Sequence, residues 1–300
     1  MPKIIDVELE LTTLCNAHCQ LCYRNYKGFK EHYPKTQIRL LQDVIDQMDT
    51  FPDLEWVRLV GTISEPTLYK DFLPLIQYFK RRNVNIEICT NGDTNTPEWW
   101  TELGTLMDDR DRVYFSICGS TQELHEVYRK NTRLEKILIN ARAFRTHHKN
   151  DYAQCIRFAY NNEDFDSDNF KNMVEEFSNV YWTETFLLKE ETNYVDTTNI
   201  QKLQPNPKKV NDYIQMDKFA RAKYASPVKG KAYCMSWENK SQQIDIDGKV
   251  YPCYLFLEAS GGKPWDQDYN KILNMEYDVC KYCDRAVIDL CNKKDLRFII

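Results

Sequence analysis

Three cysteines near the N-terminus are spaced closely enough to bind one metal centre. They are Cys15, Cys19 and Cys22, in the pattern CxxxCxxC. Three thiolates on one loop can bind three irons of a cubane 4Fe–4S cluster and leave the fourth iron without a protein ligand. An open iron is what a chelating substrate needs. A zinc site is the alternative, and it would require a fourth ligand nearby, which His18 could supply.

A second group of cysteines lies near the C-terminus. Four of them could bind every iron of a second cubane, namely Cys234, Cys253, Cys280 and Cys283. A four-cysteine zinc site has the same ligand chemistry and stays open as an alternative. Two further alternatives also remain: Cys291 could replace one of the four, or one iron could be left open for substrate.

The elements that would position the first cysteines alternate between strands and helices. Apolar runs predict six strands, at 4–11, 55–61, 83–89, 112–118, 154–160 and 180–188. Helical spacing of apolar residues predicts six helices, at 38–51, 69–82, 97–107, 122–129, 134–147 and 168–177. Such alternation predicts an α/β fold with a parallel sheet. Six units are too few for a closed eight-stranded barrel, so an open partial barrel or a doubly wound sheet is expected, with ligands at the carboxyl ends of the strands.

Composition excludes several classes of protein. The 300 residues carry a net charge of −5 and are 42% hydrophobic, which gives no support for bulk binding to nucleic acid or a membrane surface. No run approaches the ~18 apolar residues of a membrane span. The N-terminus lacks the apolar stretch of a signal peptide, so a cytoplasmic location is expected. The odd count of eleven cysteines, in such a compartment, argues against a disulfide framework.

The first cysteine segment resembles the signature of the radical S-adenosylmethionine (SAM) superfamily. The resemblance implies that SAM chelates the open iron and that the reduced cluster cleaves it to methionine and a 5′-deoxyadenosyl radical, which removes a hydrogen atom from substrate. It also implies a partial (β/α)6 TIM-like barrel. One residue departs from the family: Leu21 stands where an aromatic residue often borders the adenine, and Tyr23 follows the third cysteine.

The segment after the second predicted strand resembles the Gly-Gly-Glu-Pro element of this family. Glu65 and Pro66 match it, whereas Ile63 and Ser64 replace both glycines. The resemblance implies that the segment from Gly61 to Pro66 binds the methionine end of SAM. In that role Gly61 and Ser64 contribute loop backbone, and Glu65 offers a carboxylate to the SAM ammonium group.

Two further segments, which contain Asn91 and Ser116, resemble family segments that approach SAM, and Arg157 is a candidate from its place on a strand. Asn91 follows the third strand, and Ser116 lies on the fourth, where it would face the ribose and carboxylate. Ordinary turn chemistry at strand ends is the alternative for both. Arg157 and Asn161 would share one face of the fifth strand. If that face lines the barrel, Arg157 could bind the SAM carboxylate, or it could form an internal salt bridge with a carboxylate such as Glu184.

The C-terminal cysteines resemble the opening of the auxiliary-cluster extensions called SPASM and Twitch. Cys234, Gly248 and Cys253 match their order of a cysteine, a β-hairpin with glycine, and a second cysteine, and Asp-Gly at a turn predicts the hairpin within 243–251. The single-cluster Twitch form fits the number of cysteines better than the two-cluster SPASM form. The chain would then divide into a barrel core, a linker and a small hairpin and helix unit, at 1–191, 192–232 and 233–300.

These features predict an oxidoreductase or maturase that uses two 4Fe–4S clusters and SAM. The second cluster would accept an electron or anchor the substrate, a small molecule or a peptide. The resemblance also implies an electron donor such as flavodoxin or ferredoxin. Two other classes stay open: modification of RNA or DNA, for which the eight Lys/Arg within 202–231 could bind phosphate, and a non-catalytic iron–sulfur or zinc scaffold.

Cys118 is a candidate catalytic residue. Alternation along the fourth strand places it on the same face as Ser116, nearer the mouth of the barrel. A thiol there could return a hydrogen atom to a substrate radical, which would make the enzyme an epimerase. The alternative for Cys118 is a small buried hydrophobic residue in the core.

Overall fold

A computed structural model describes most of the barrel core and one hairpin beyond it. The described residues are 4–25, 29–184, 199, 201–204 and 241–251. Most of the predicted linker and of the predicted C-terminal unit therefore lies outside them, as do Cys234, Cys253, Cys280, Cys283 and Cys291. No helix in the described ranges is long and apolar enough to cross a membrane.

Within the described residues, eight strands form one sheet in the order β6-β5-β4-β3-β2-β1-β7-β8. The strands are β1 Asp6–Leu9, β2 Trp56–Leu59, β3 Asn85–Thr90, β4 Arg112–Ser116, β5 Asp151–Arg157, β6 Asn179–Glu184, β7 Ser241–Ile244 and β8 Val250–Tyr251. The first seven are parallel, and β8 pairs with β7 antiparallel. The α/β prediction with a parallel sheet is confirmed, and all six predicted strands are present.

Eight α-helices accompany the strands in the described chain. They are α1 Phe29–His32, α2 Leu41–Asp49, α3 Phe72–Arg81, α4 Pro97–Leu106, α5 Gln122–Tyr128, α6 Leu134–Arg145, α7 Asn162–Asp166 and α8 Asp168–Val174. All six predicted helices are confirmed, and the short α1 and α7 were not predicted. Side-chain caps define several starts: Thr96, Thr121 and Ser167 each accept a hydrogen bond from a backbone N–H in the first turn.

The hairpin of β7 and β8 extends the barrel sheet. Gly248 lies in its turn with a φ of +78°, a conformation that favours glycine. β7 runs parallel to β1, in register from Asp6 beside Ser241 to Leu9 beside Ile244. The side chain of Gln47, on α2, donates a hydrogen bond of 2.7 Å to the Gly248 carbonyl oxygen. The hairpin was expected, but its membership of the barrel sheet was not.

The two faces of the sheet differ in polarity. The side packed on the helices is apolar and includes Val7, Leu9, Val57, Leu59, Ile86, Ile88, Val113 and Phe115. The opposite side lines the barrel, and one row of residues crosses five strands in register: Gln243, Glu8, Arg58, Glu87 and Arg112. Alternation along each strand explains the difference, because neighbouring side chains point to opposite faces. The interior of the barrel is therefore polar below the mouth.

A buried ion pair fixes the end of the sheet opposite the mouth. Asp111 precedes β4 and is fully buried. Its carboxylate accepts two hydrogen bonds from Lys80 Nζ, at 2.9 and 2.7 Å, and others from the backbone N–H groups of Ile86 and Asp108, both at 2.7 Å. One side chain thus joins α3, β3 and the turn before β4.

We expect Asp111→Ala to lower the free energy of unfolding by about 2–4 kcal/mol, because it leaves the Ile86 and Asp108 N–H groups without their acceptor and removes one of the two carboxylates paired with Lys80. Chemical denaturation under anaerobic conditions measures the change. The matched control is Asp109→Ala in the same turn, where the side chain is exposed and the expected change is within about 0.5 kcal/mol. Equal losses in the two variants would contradict a special role for the buried carboxylate.

Candidate active site

The three N-terminal cysteines lie on one loop at the carboxyl end of β1. Cys15, Cys19 and Cys22 share an apolar cluster with Leu21 and Cys118. A turn holds the loop, since the Cys22 N–H donates a hydrogen bond of 3.2 Å to the Cys19 carbonyl oxygen. We expected β1 and the loop after it to bring the three thiols to the mouth of the barrel. The three cysteines lie at that end of β1.

The protonation state of these thiols follows from their surroundings. Burial, and then the Glu65 carboxylate, raise the pKa of Cys15 to about 12. Burial also raises the pKa of Cys19 to about 12, and that of Cys22 in the same direction. Without metal the three groups are therefore neutral thiols, and iron must displace a proton from each, because thiolate is the form that ligates.

The donor set fits a cluster that bridges the three thiols. No three His, Cys, Asp or Glu side chains within the described ranges already stand in a closed metal-binding arrangement. The three thiols nevertheless lie in one cluster of packed side chains. His18, the alternative fourth ligand of a zinc site, is exposed to solvent. Three soft sulfur ligands on one loop suit an iron–sulfur cluster.

The loop after β2 has a shape that depends on Gly61. Its φ is +62°, and a Cβ there would lie 2.4 Å from the Ser64 carbonyl oxygen, so other residues would be strained. Ile63 is fully buried beside Phe29 and Ile246. The Ser64 hydroxyl donates a hydrogen bond of 3.0 Å to Glu10 Oε2. The residues that replace the two family glycines thus anchor the loop through their side chains.

The Glu65 carboxylate joins the ends of β2 and β3. It accepts hydrogen bonds from Thr67 N (3.3 Å), Thr67 Oγ1 (2.6 Å), Thr90 Oγ1 (2.6 Å) and Asn91 N (2.7 Å). Burial raises the pKa of Glu65, and these hydrogen bonds oppose that shift. Four donors are about the capacity of one carboxylate. The Asn91 side chain donates a hydrogen bond of 2.7 Å to Asn16 Oδ1, which links this network to the cysteine loop.

Ser116 is the last residue of β4, and Cys118 lies two residues further along the chain. Ser116 is buried, and its hydroxyl donates a hydrogen bond of 3.3 Å to Gln154 Oε1 on β5. Cys118 is fully buried in the cluster that contains the three cysteines. The Cys118 carbonyl oxygen accepts hydrogen bonds from Tyr160 Oη (3.1 Å) and Asn161 Nδ2 (3.2 Å). Both predicted residues therefore lie at the mouth, and Cys118 is rigidly held.

Two residues of the segment after β4 were missed in the sequence. The buried His125 accepts a hydrogen bond at Nδ1 from the Cys118 N–H (3.2 Å), and its Nε2 pairs with Thr132 Oγ1 at 2.9 Å. Arg129 Nη1 lies 3.9 Å from Cys19 Sγ, and its Nε is buried without a hydrogen-bond partner. A histidine and an arginine four residues apart after a strand that ends in Ser116 could have signalled one helical face.

The structure places Arg157 on the helix-facing side of β5. Alternation along β5 places it with Ala153 and Cys155, which face the helices. Its guanidinium lies 4.0 Å from the centre of the Trp182 ring, so its cation contacts an aromatic face and not the barrel interior. Asn161 lies beyond the strand, at the start of α7. The two residues therefore do not share a barrel-facing side.

Comparison with known proteins identifies the family. The family model of the radical SAM superfamily matches residues 9–165. The chain belongs to this superfamily and is an enzyme of that class, for which a 4Fe–4S cluster and SAM are the implied cofactors. The match spans the cysteine loop, the loop after β2 and the segment after β4, which are the elements that form the site described above.

Curated relatives and solved structures agree with this assignment. A cofactor-modifying protein for the tungsten-containing aldehyde ferredoxin oxidoreductase of Pyrococcus furiosus is 24% identical over 84% of this chain and 71% of its own length. The mycofactocin maturase MftC of Mycobacterium tuberculosis is 31% identical over 40% of this chain, and the match spans 29% of the maturase. Streptococcus suis SuiB bound to SAM superposes with a TM-score of 0.63 at 14% identity, covering 94% of this chain and 72% of SuiB. That likeness shows the fold.

We expect His125 to make the protein sensitive to acid. Burial, and then the nearby Arg129, lower the pKa of His125 to about 3, whereas an unfolded histidine titrates near 6.5. The unfolded state thus binds more protons between these values, so stability is complete above about pH 6.5 and falls as the pH drops toward 3. Unfolding of wild type and His125→Asn as a function of pH measures this contribution.

His125→Asn should lose part of the pH dependence of the free energy of unfolding, because the asparagine side chain does not titrate. Its amide oxygen can still accept a hydrogen bond from the Cys118 N–H. The matched control is His147→Asn, which replaces an exposed histidine and should leave the profile unchanged. Identical pH profiles for wild type and His125→Asn would show that His125 does not stay neutral in the folded state.

Proposed function

We propose that this protein reductively cleaves SAM at a cluster bound by Cys15, Cys19 and Cys22. When bound there, a 4Fe–4S cluster would supply the electron that breaks the S–C5′ bond, and the resulting 5′-deoxyadenosyl radical would remove a hydrogen atom from substrate. The observation that carries the proposal is the placement of three thiols beside the guanidinium of Arg129, whose buried Nε has no hydrogen-bond partner, at the carboxyl end of the barrel.

The residues at the mouth have separate tasks in this proposal. Arg129 would bind the SAM carboxylate, because a buried Nε–H without an acceptor favours an anionic ligand. His125 would position Cys118 through the hydrogen bond that its Nδ1 accepts from the Cys118 N–H. Its Nε2 pairs with Thr132 Oγ1, and the Thr132 hydroxyl donates to the Arg129 carbonyl oxygen, which would hold the backbone of Arg129. Ser116, oriented by Gln154, would face the ribose, and Asn91 would hold the cysteine loop against the loop after β2.

The reaction we propose is the modification of a cofactor or a peptide. The Pyrococcus furiosus relative is named for modifying a cofactor and the mycobacterial one is named a maturase. One structural neighbour is Streptococcus suis SuiB bound to a precursor peptide. A cofactor is a small molecule, so these two substrate types are the two that the sequence led us to expect. Flavodoxin or ferredoxin would deliver the electron.

A second 4Fe–4S cluster remains part of the proposal. Cys234, Cys253, Cys280 and Cys283 would bind it, within an auxiliary unit at 233–300, and it would accept the remaining electron or anchor the substrate. Cys118 would be available as a hydrogen-atom donor to a substrate radical, because its backbone is fixed from both sides at the mouth. The basic stretch proposed for nucleic acid lies mostly outside the described residues.

After anaerobic reconstitution we expect about eight irons per chain, the sum of two cubanes. The triple variant Cys15/Cys19/Cys22→Ala should keep about half of them and should release no 5′-deoxyadenosine with dithionite and SAM. Iron analysis and chromatography of the products measure both. The matched control is Cys155→Ala, which removes a buried thiol on the helix-facing side and should keep all the iron. Full iron in the triple variant would contradict the ligand assignment.

Arg129→Gln should weaken SAM binding by about 30-fold or more, because it removes the cation from a buried charge pair. Equilibrium binding to the reconstituted protein measures the change, and unchanged cluster content would show that the loop remains intact. Arg133→Gln is the control, since Arg133 is largely exposed and pairs with Asp93 outside the site. If Arg129→Gln bound SAM as tightly as wild type, the carboxylate would have a different partner.

A further inference from the structure

Glu10 is a buried carboxylate whose partners are all neutral. It lies directly after β1 with 1% of its surface exposed. Its Oε1 accepts a hydrogen bond of 3.2 Å from the Ile63 N–H, and its Oε2 accepts one of 3.0 Å from the Ser64 hydroxyl. It makes no ion pair within the part of the chain that the structure describes. Burying a carboxylate without a cation is costly, so its position calls for a positively charged ligand.

The electrostatic surroundings of Glu10 strengthen this requirement. Burial, and then the neighbouring Glu8 carboxylate, raise the pKa of Glu10 to about 7. The protein thus holds a carboxylate where the fold alone disfavours its charge. An ammonium group that entered this position would gain a charge-assisted hydrogen bond and would remove the penalty of the buried charge.

Glu10 lies beside the loop that resembles the methionine-binding element of the family. Its two donors belong to that loop, which follows β2. Arg24 fixes the same loop from the other side, because its Nη1 donates to the carbonyl oxygens of Thr13 and Ile63, at 2.5 and 2.7 Å. Glu10 also lies within electrostatic reach of the Cys22 thiol. It therefore adjoins both the expected cluster ligands and the expected loop.

Glu65, the family's usual carboxylate, has less capacity for an ammonium group. Its oxygens already accept four hydrogen bonds from Thr67, Thr90 and Asn91. Three of these donors reach Oε1, so an ammonium group would have to share Oε2 with the Asn91 N–H. Glu10 accepts two hydrogen bonds from the Ile63 N–H and the Ser64 hydroxyl, with a further contact to the Thr62 backbone, and so retains capacity.

We propose that the carboxylate of Glu10 binds the ammonium group of SAM, while Glu65 shapes the loop around it. The inference rests on the proposed function, since it assigns a residue to the SAM site of that reaction. It makes Glu10 a binding residue and gives the Ser64 hydroxyl the task of orienting Glu10. It also explains why a serine can replace a family glycine at this position.

The test compares Glu10→Gln with Glu8→Gln in the anaerobically reconstituted protein. Both variants remove one barrel-facing carboxylate from the same strand region, and glutamine keeps an oxygen that can accept from the Ile63 N–H. We expect Glu10→Gln to weaken SAM binding by about 30-fold or more and Glu8→Gln by only a few-fold. At a SAM concentration that changes the EPR spectrum of the reduced wild-type cluster, the Glu10→Gln spectrum should stay that of the SAM-free protein.

A second ligand distinguishes the two positive groups of SAM. S-adenosylhomocysteine keeps the ammonium group but has a neutral sulfur, so Glu10→Gln should weaken its binding by a similar factor. A loss for SAM alone would place Glu10 beside the sulfonium and would overturn the assignment. Glu10→Asp keeps the charge on a shorter side chain and should bind SAM more tightly than Glu10→Gln. Equal binding by these two variants would also overturn it.

Failure of the inference differs from failure of the proposed function. If wild type binds SAM at a cluster and Glu10→Gln binds it equally, the inference alone is wrong. If wild type holds no redox-active cluster or does not bind SAM, both are wrong. Cluster content equal to wild type in Glu10→Gln would show that a weaker affinity is not the result of a disrupted cysteine loop.

Discussion

Seven strands that run in one direction determine where the chemistry of this protein can occur. In a parallel sheet every carboxyl end meets the same edge, so the loops after β1, β2, β3 and β4 converge although they are far apart in sequence. Alternation then separates the apolar side, packed on helices, from a polar side that lines the barrel. The fold supplies one polar mouth, and the residues at that mouth decide what it binds.

Buried carboxylates connect the loops that the strands bring together. Glu65 joins the end of β2 to the end of β3 through donors on both, and Glu10 joins the end of β1 to the loop after β2. Each uses its charge to hold backbone N–H groups that would otherwise be buried and unsatisfied. The two differ in what remains: Glu65 is nearly filled by its donors, whereas Glu10 keeps capacity beside the cysteine loop. The hydrogen bonds of Glu65 thus mainly stabilise the loops, whereas Glu10 has room to bind a ligand as well.

Hydrophobic periodicity was enough to predict the six strands and six helices of the core, because each carries a regular apolar face. It did not show that β7 joins the sheet beside β1, since strand pairing between distant segments leaves no local signal. Alternation correctly grouped Ser116 with Cys118, but for Arg157 it could not tell which face pointed inward. The cysteine loop was visible from spacing alone. Glu10, His125 and Arg129 were not, because their burial and their hydrogen-bond partners depend on how distant segments pack together.

The mouth of the barrel carries both an acidic and a basic side chain near the cysteine loop, Glu10 and Arg129. Burial raises the pKa of the Cys22 thiol, Arg24 and Arg129 lower it, and Glu10 raises it further. Glu10 comes from the end of β1 and Arg129 from the segment after β4, so an anion and a cation reach the neighbourhood of the cysteine loop from different elements. The amino-acid end of SAM carries an ammonium and a carboxylate, and it can satisfy both groups in only one orientation. Side chains from different elements of the barrel would therefore fix the direction of SAM as well as its affinity, and with it the position of the 5′ carbon relative to the barrel interior.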